Sequence, residues 1–226
     1  KKEIPPAEIK IQRKYDKYGY VEHIPLRGVR KIIAQRMTKS IFTAPHVTHM
    51  DEADVTKLWH LRELKKKLAE QKGIRLTFLP FVEKACVFAL KEHPLFNATL
   101  DMEHEEIIVK KYFNIGVAVD TEAGLMVPVI KGADQKNVFQ IAKEIFELAD
   151  KARQRTIDLA DLQGGTFTIT NIGSLGGTYA TPIINYPEVA ILAVGRIFDR
   201  LVAKDHKVVV RKIMPLSLAF DHRVND

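Results

Sequence analysis

Asn114-Ile115-Gly116-Val117-Ala118-Val119, a turn at Thr121-Glu122-Ala123-Gly124, then Leu125-Met126-Val127-Pro128-Val129-Ile130: this stretch decides the fold class. Two short runs rich in β-branched residues, joined by a polar turn, predict neighbouring strands. Pro128 has no amide hydrogen to give to a ladder, so the second run belongs at a sheet edge or a bulge. Upstream, Glu106-Ile107-Ile108-Val109 is another short strand. Before it, residues 77–92 are apolar on most sides with Pro80 in the first turn, which predicts a central buried helix.

Earlier still, Asp54 can cap a helix whose face is Val55, Leu58, Leu61 and Leu68 and which stops at Gly73. Residues 46–53 predict a strand. Val29, Ile32, Ile33, Met37 and Ile41 make a helical stripe that Thr43-Ala44-Pro45 ends. Downstream, Asn137 is placed to cap a helix to about Arg153 with Val138, Ile141, Ile145 and Leu148 on one face. Strands are then expected over 166–172, 188–195, 198–203, 207–213 and 215–220. The fold class is therefore α/β (α+β), a mixed β-sheet packed with helices that come early while strands dominate late.

The 226 residues are 46% hydrophobic, enough for one large core. Residues 1–25, polar, basic and with three prolines, are expected to be a linker or extended arm, and 26–226 the folded domain. A net charge of +7 spread along the chain suits a phosphorylated small ligand better than nucleic acid, because basic runs and aromatic residues do not interleave. No run reaches the roughly 18–20 apolar residues of a membrane span. The single cysteine, Cys86, sits in an apolar run and forms no internal disulfide, which fits a reducing compartment. That compartment is expected to be the cytoplasm, or the mitochondrial matrix in a eukaryote.

Of eight histidines, His222 has the setting for chemistry. It leaves the end of an expected strand between Asp221 and Arg223, with Asp226 four residues on, and imidazole titrates close to neutral pH. The alternative is a polar turn closing a strand. His46 and His49, three apart in a strand, should point to opposite faces, so a metal site is not expected. Gly165-Thr166-Phe167-Thr168-Ile169-Thr170-Asn171-Ile172-Gly173 runs a threonine-rich strand into a glycine-rich loop that can offer a hydroxyl and amides to an oxyanion. The competing reading is a set of β-forming threonines with satisfied hydroxyls. Gly173-Ser174-Leu175-Gly176-Gly177 is not a dinucleotide fingerprint, since no convincing helix follows.

Taken in order, Gly28-Val29-Arg30-Lys31-Ile32-Ile33-Ala34-Gln35-Arg36-Met37, Pro45-His46-Val47-Thr48, Gly124-Leu125-Met126-Val127-Pro128-Val129-Ile130, Phe167-Thr168-Ile169-Thr170-Asn171-Ile172-Gly173, Pro187-Glu188-Val189-Ala190-Ile191-Leu192 and Asp221-His222-Arg223 resemble the catalytic domain of the dihydrolipoamide acyltransferases. The resemblance covers about residues 26–226 and implies the chloramphenicol acetyltransferase-like fold, a trimeric building block with active sites between subunits. It implies that His222 takes the proton of a thiol, that Thr170 holds the tetrahedral oxyanion, and that Asp226 and Arg30 form an ion pair orienting the terminal turn. Coenzyme A would be a substrate, and the lipoyl group would arrive on a separate domain of a longer chain.

The partners implied are homotrimers assembling into a large cage, a 2-oxoacid decarboxylase, dihydrolipoamide dehydrogenase and a lipoyl domain. Where the family continues through a glycine into a final helix, this chain stops, so its C-terminal end is expected to be incomplete. Two other functions fit the same fold: a non-catalytic scaffold, and a free-standing antibiotic acetyltransferase.

Overall fold

The computed structural model describes residues 12–226. In chain order the elements are β1 (Gln12–Tyr15), β2 (Tyr20–His23), α1 (Gly28–Thr43), β3 (His46–Asp54), α2 (Thr56–Gln71), α3 (Leu79–Glu92), β4 (Ala98–Asp101) and β5 (Glu106–Val109). They continue with β6 (Ile115–Val117), β7 (Val129–Ile130), α4 (Val138–Arg153), β8 (Phe167–Asn171), β9 (Ala190–Val194), β10 (Phe198–Lys204) and β11 (Lys207–Asp221). Each helix expected from periodicity is present. The cap at Asn137 is a full capping box, in which its side chain accepts from Phe139 and Gln140 amides while Gln140 returns a bond to the Asn137 amide.

Seven strands form the main sheet in the order β10-β11-β9-β8-β6-β7, with β3 added along β11. Strands β6, β8 and β9 run parallel to one another, and the remaining pairings are antiparallel. The sheet is thus mixed, as expected. β7 closes one edge of the order, where the missing amide of Pro128 is harmless and its carbonyl accepts from the Val117 amide at 2.8 Å.

Side-chain alternation divides the sheet into two faces. Phe167, Ile169, Ala190, Val194, Met214 and Phe220 pack with Val82, Cys86, Val87 and Leu90 of α3 and Leu148 of α4 to make the principal core. Ile191 and Ala219 point the other way, onto Ala44 and Ile184. Burial pushes the Cys86 thiol up to about 12, consistent with a small core residue.

Three expectations need correction. The two strands expected over 207–213 and 215–220 are one, β11, which pairs with β10 up to Ile213 and with β9 from Leu216. Pro215 falls at the changeover, where only its carbonyl is needed, as acceptor for the Gly195 amide at 2.8 Å. Of the strand expected over 125–130, only Val129–Ile130 is laddered, with one further bridge from Met126 to Val119. Within the expected arm, residues 12–23 pair as an exposed antiparallel hairpin, while residues 1–11 lie outside the described part.

Candidate active site

β11 delivers the terminal turn. Asp221, its last residue, is 2% exposed and is gripped by Arg223, with Nε donating to Oδ1 at 3.0 Å and Nη2 to Oδ2 at 2.7 Å. The Asp221 carbonyl accepts from the amides of Val224 and Asn225, and the Asn225 side chain reaches the Leu95 carbonyl at 3.4 Å. The His222 amide donates to the Pro45 carbonyl at 3.0 Å, so the residue just before β3 holds the histidine's backbone from the other side. Its ring meets Phe220 edge to face at 6.0 Å. The Nδ1 edge faces Asp226 Oδ1 at 3.5 Å, leaving Nε2 as the outward nitrogen.

Arg30 stands exposed in the first turn of α1 and pairs with no carboxylate among the described residues. The Arg30–Asp226 ion pair expected from the sequence is therefore not formed within the chain; Asp226 turns to His222 instead. His46 and His49 both lie on β3, three apart, and serve no common site. His46 hydrogen-bonds the Ala44 carbonyl through Nδ1 at 2.6 Å and accepts from the Ile184 amide through Nε2 at 3.0 Å, so both ring nitrogens are engaged by backbone. Among the described residues no group of three His, Cys, Asp or Glu side chains is placed to hold a metal, and no helix is long and apolar enough to cross a membrane.

The three threonines in and just before β8 differ. Thr166 exchanges hydrogen bonds with the backbone of Asn114 at 3.2 Å, and Thr168 donates to the buried Glu188 at 2.6 Å. The half-buried Thr170 hydroxyl makes no hydrogen bond among the described residues and lines a cleft of about 340 Å³ with Arg75, Asp120, Phe146 and Arg153. The satisfied-hydroxyl reading thus fits Thr166 and Thr168, and Thr170 is the one left to donate.

Within one chain the base and this hydroxyl do not meet. Thr170 is level with Ala193, and Ala193 with Ser217, five residues before His222. At about 3.3 Å per residue and about 4.8 Å per strand, His222 lies roughly 16 Å along the sheet and about 10 Å across it from Thr170. They occupy opposite ends of the sheet. Only another copy could bring such a pair together.

Residues 19–226 match the model of the 2-oxoacid dehydrogenases acyltransferase (catalytic domain) family. The chain belongs to this family. It is 51% identical over 201 residues to the dihydrolipoyllysine-residue acetyltransferase component of the pyruvate dehydrogenase complex of Bacillus subtilis, covering 89% of this chain and 46% of that protein. The Staphylococcus aureus counterpart is 48% identical over 224 residues, covering 99% of this chain and 52% of that protein. The chain therefore spans about half the length of the curated relatives it matches.

Among solved structures, the dihydrolipoamide acetyltransferase of Azotobacter vinelandii superposes with a TM-score of 0.90 at 45% identity, covering 93% of this chain and 86% of that one. The cubic core of a pyruvate dehydrogenase multienzyme complex also gives 0.90, at 44% identity. A chloramphenicol acetyltransferase, at 15% identity and TM-score 0.50 over 88% of this chain and 89% of that one, shares the fold alone.

Two groups carry only a weak local signal. The Asp221–Arg223 clamp was signalled by a buried strand ending on an acid with a base two residues on. Glu188 was signalled by a lone carboxylate inside Pro187-Glu188-Val189-Ala190-Ile191-Leu192.

Proposed function

We propose that this chain transfers an acyl group between dihydrolipoamide and coenzyme A and, as a trimeric building block, forms the core of a 2-oxoacid dehydrogenase complex. One observation carries the catalytic assignment. The Azotobacter vinelandii structure concerns a serine, a histidine fifty-two residues later and an asparagine four residues after that, in the catalytic mechanism of that enzyme. Thr170, His222 and Asp226 stand at the same two intervals. Threonine for serine keeps the hydroxyl, and aspartate for asparagine keeps an acceptor facing the imidazole Nδ1.

The chemistry follows from these groups. Nε2 of His222 takes the thiol proton, and the thiolate attacks the thioester carbonyl. The negative charge that develops on the carbonyl oxygen is met by the Thr170 hydroxyl of a neighbouring copy. Collapse expels the second sulfur, which recovers the proton from the imidazolium. General-base help of this kind contributes about 10²–10⁴ in rate, and an oxyanion donor about 10²–10³. Arg75 and Arg153 in the Thr170 cleft suit the phosphates of coenzyme A.

The test is acetyl transfer from acetyl-coenzyme A to dihydrolipoamide by the full-length protein. His222→Ala and Thr170→Ala should each be slow. Reassembled as a 1:1 mixture, they should recover about one quarter of wild-type activity, the share of sites in a cyclic trimer that receive both intact residues from different copies. Normal turnover of His222→Ala would overturn the assignment, and mixing without recovery would overturn the shared site.

A further inference from the structure

Glu188 sits in the loop that precedes β9 with its side chain buried against β8, and both of its oxygens are engaged. Thr168 Oγ1 donates to Oε2 at 2.6 Å and Asn185 Nδ2 to Oε1 at 2.9 Å. The enclosure is tight: a Cβ on Gly165 would stand 2.7 Å from Oε1, and one on Gly116 would stand 2.9 Å from Thr168 Oγ1. Burial pushes this carboxyl up to about 7, although both hydrogen bonds pull it down. An apolar side chain of the same volume would avoid that cost, so packing alone gives no account of an acid here.

What the carboxylate achieves is geometric. One short bond, from Thr168 to Glu188, ties β8 to the loop, at the residue two before Thr170 and on the same face of the strand, because strand side chains alternate, and the Asn185 bond braces Glu188 within that loop. The loop is itself pinned: Ile184, next to Asn185, receives a bond from Ser40 Oγ on its carbonyl at 2.6 Å and gives its amide to His46 Nε2. β8 is therefore fixed from outside its own ladder, immediately before the residue whose hydroxyl must meet a charge to within a few tenths of an ångström.

We propose that Glu188, through its hydrogen bond to Thr168, is a positioning residue that sets β8 so that the Thr170 hydroxyl aims at the oxyanion. This rests on the reading of Thr170 as the oxyanion donor. A misplaced donor loses transition-state stabilisation while substrate binding is largely kept, so the effect belongs in kcat.

The experiment is steady-state acetyl transfer by the full-length protein carrying Thr168→Val, Thr168→Ser or Glu188→Gln, each alone and together with Thr170→Ala, with melting temperatures recorded. Thr168→Val should lower kcat roughly tenfold while KM for acetyl-coenzyme A stays within about twofold. Thr168→Ser, which restores the donor, should be close to wild type. Glu188→Gln keeps volume and one acceptor and should lose about threefold, which serves if Thr168→Val folds poorly. In the Thr170→Ala background neither change should slow the enzyme further, since residues acting through one another are non-additive. Wild-type kcat in both Thr168→Val and Glu188→Gln, or undiminished losses in the Thr170→Ala background, would overturn the proposal. A fast Thr170→Ala enzyme would instead overturn the oxyanion reading beneath it.

Discussion

Arg223 holds Asp221 in a two-pronged grip, at 3.0 and 2.7 Å, with the carboxylate side chain almost wholly buried and the guanidinium partly open to solvent. His222 lies between them in the chain, so the pair sets the direction in which the imidazole leaves the sheet. Removing the arginine strands a buried charge, whereas lysine supplies a charge without the planar fork. Arg223→Ala should destabilise the fold by about 2–4 kcal/mol in urea titration. Arg223→Lys should recover most of that stability but little of the turnover, because orientation needs both prongs.

Thr170 and Asp226 should respond very differently to substitution. Thr170→Ser keeps the donor and should stay within about threefold of wild type, while Thr170→Val should lose about 10²–10³ in kcat. Asp226 faces the imidazole at 3.5 Å and is fully exposed, so Asp226→Asn should cost less than about tenfold. Single-turnover acyl transfer at saturating acetyl-coenzyme A would read both directly.

Glu83 predicts a pH dependence of stability. It is fully buried on α3, neither of its oxygens has a hydrogen-bond partner among the described residues, and burial with Glu144 nearby pushes its carboxyl up to about 8. Lys136 and Lys84 offset this only in part. The folded state then keeps a proton that the unfolded chain releases near its ordinary value of 4.5. Stability therefore falls as pH rises from about 4.5 towards 8 and levels beyond. Glu188, pushed up to about 7, acts in the same direction over a narrower window. Glu83→Gln should flatten much of the slope and be more stable than wild type at pH 8 in urea titration.

Gly195 has no room for a side chain. A Cβ there would stand 2.1 Å from the Thr178 carbonyl oxygen, which is backbone and cannot swing aside. Gly195→Ala should cost about 3 kcal/mol or more and disturb the segment after Thr170, because the Arg196 amide also binds the Gly177 carbonyl there. Loss of acyl transfer accompanied by a lowered melting temperature would be the signature. A fully stable variant would contradict the tight approach.

Local signals made much of the fold legible. The stripe Val29, Ile32, Ile33, Met37 and Ile41, the cap at Asn137 and the edge placement implied by Pro128 each depend on residues within a few positions of one another, and each appears as expected. The break expected between 213 and 215 is absent because β11 runs on through it while changing partners from β10 to β9, a relation that no local signal carries.

By itself, the sequence determined the element types and the family and singled out His222 as the candidate base, since periodicity, caps and motif order are written in neighbouring residues. Only the tertiary structure decided how those residues stand to one another. It showed that, of Thr166, Thr168 and Thr170, Thr170 alone makes no hydrogen bond among the described residues, that Glu188 braces Thr168, and that Asp226 turns to His222 rather than to Arg30. It also put His222 and Thr170 at opposite ends of one sheet. These are long-range relations set by strand order and register, and no spacing along the chain encodes them.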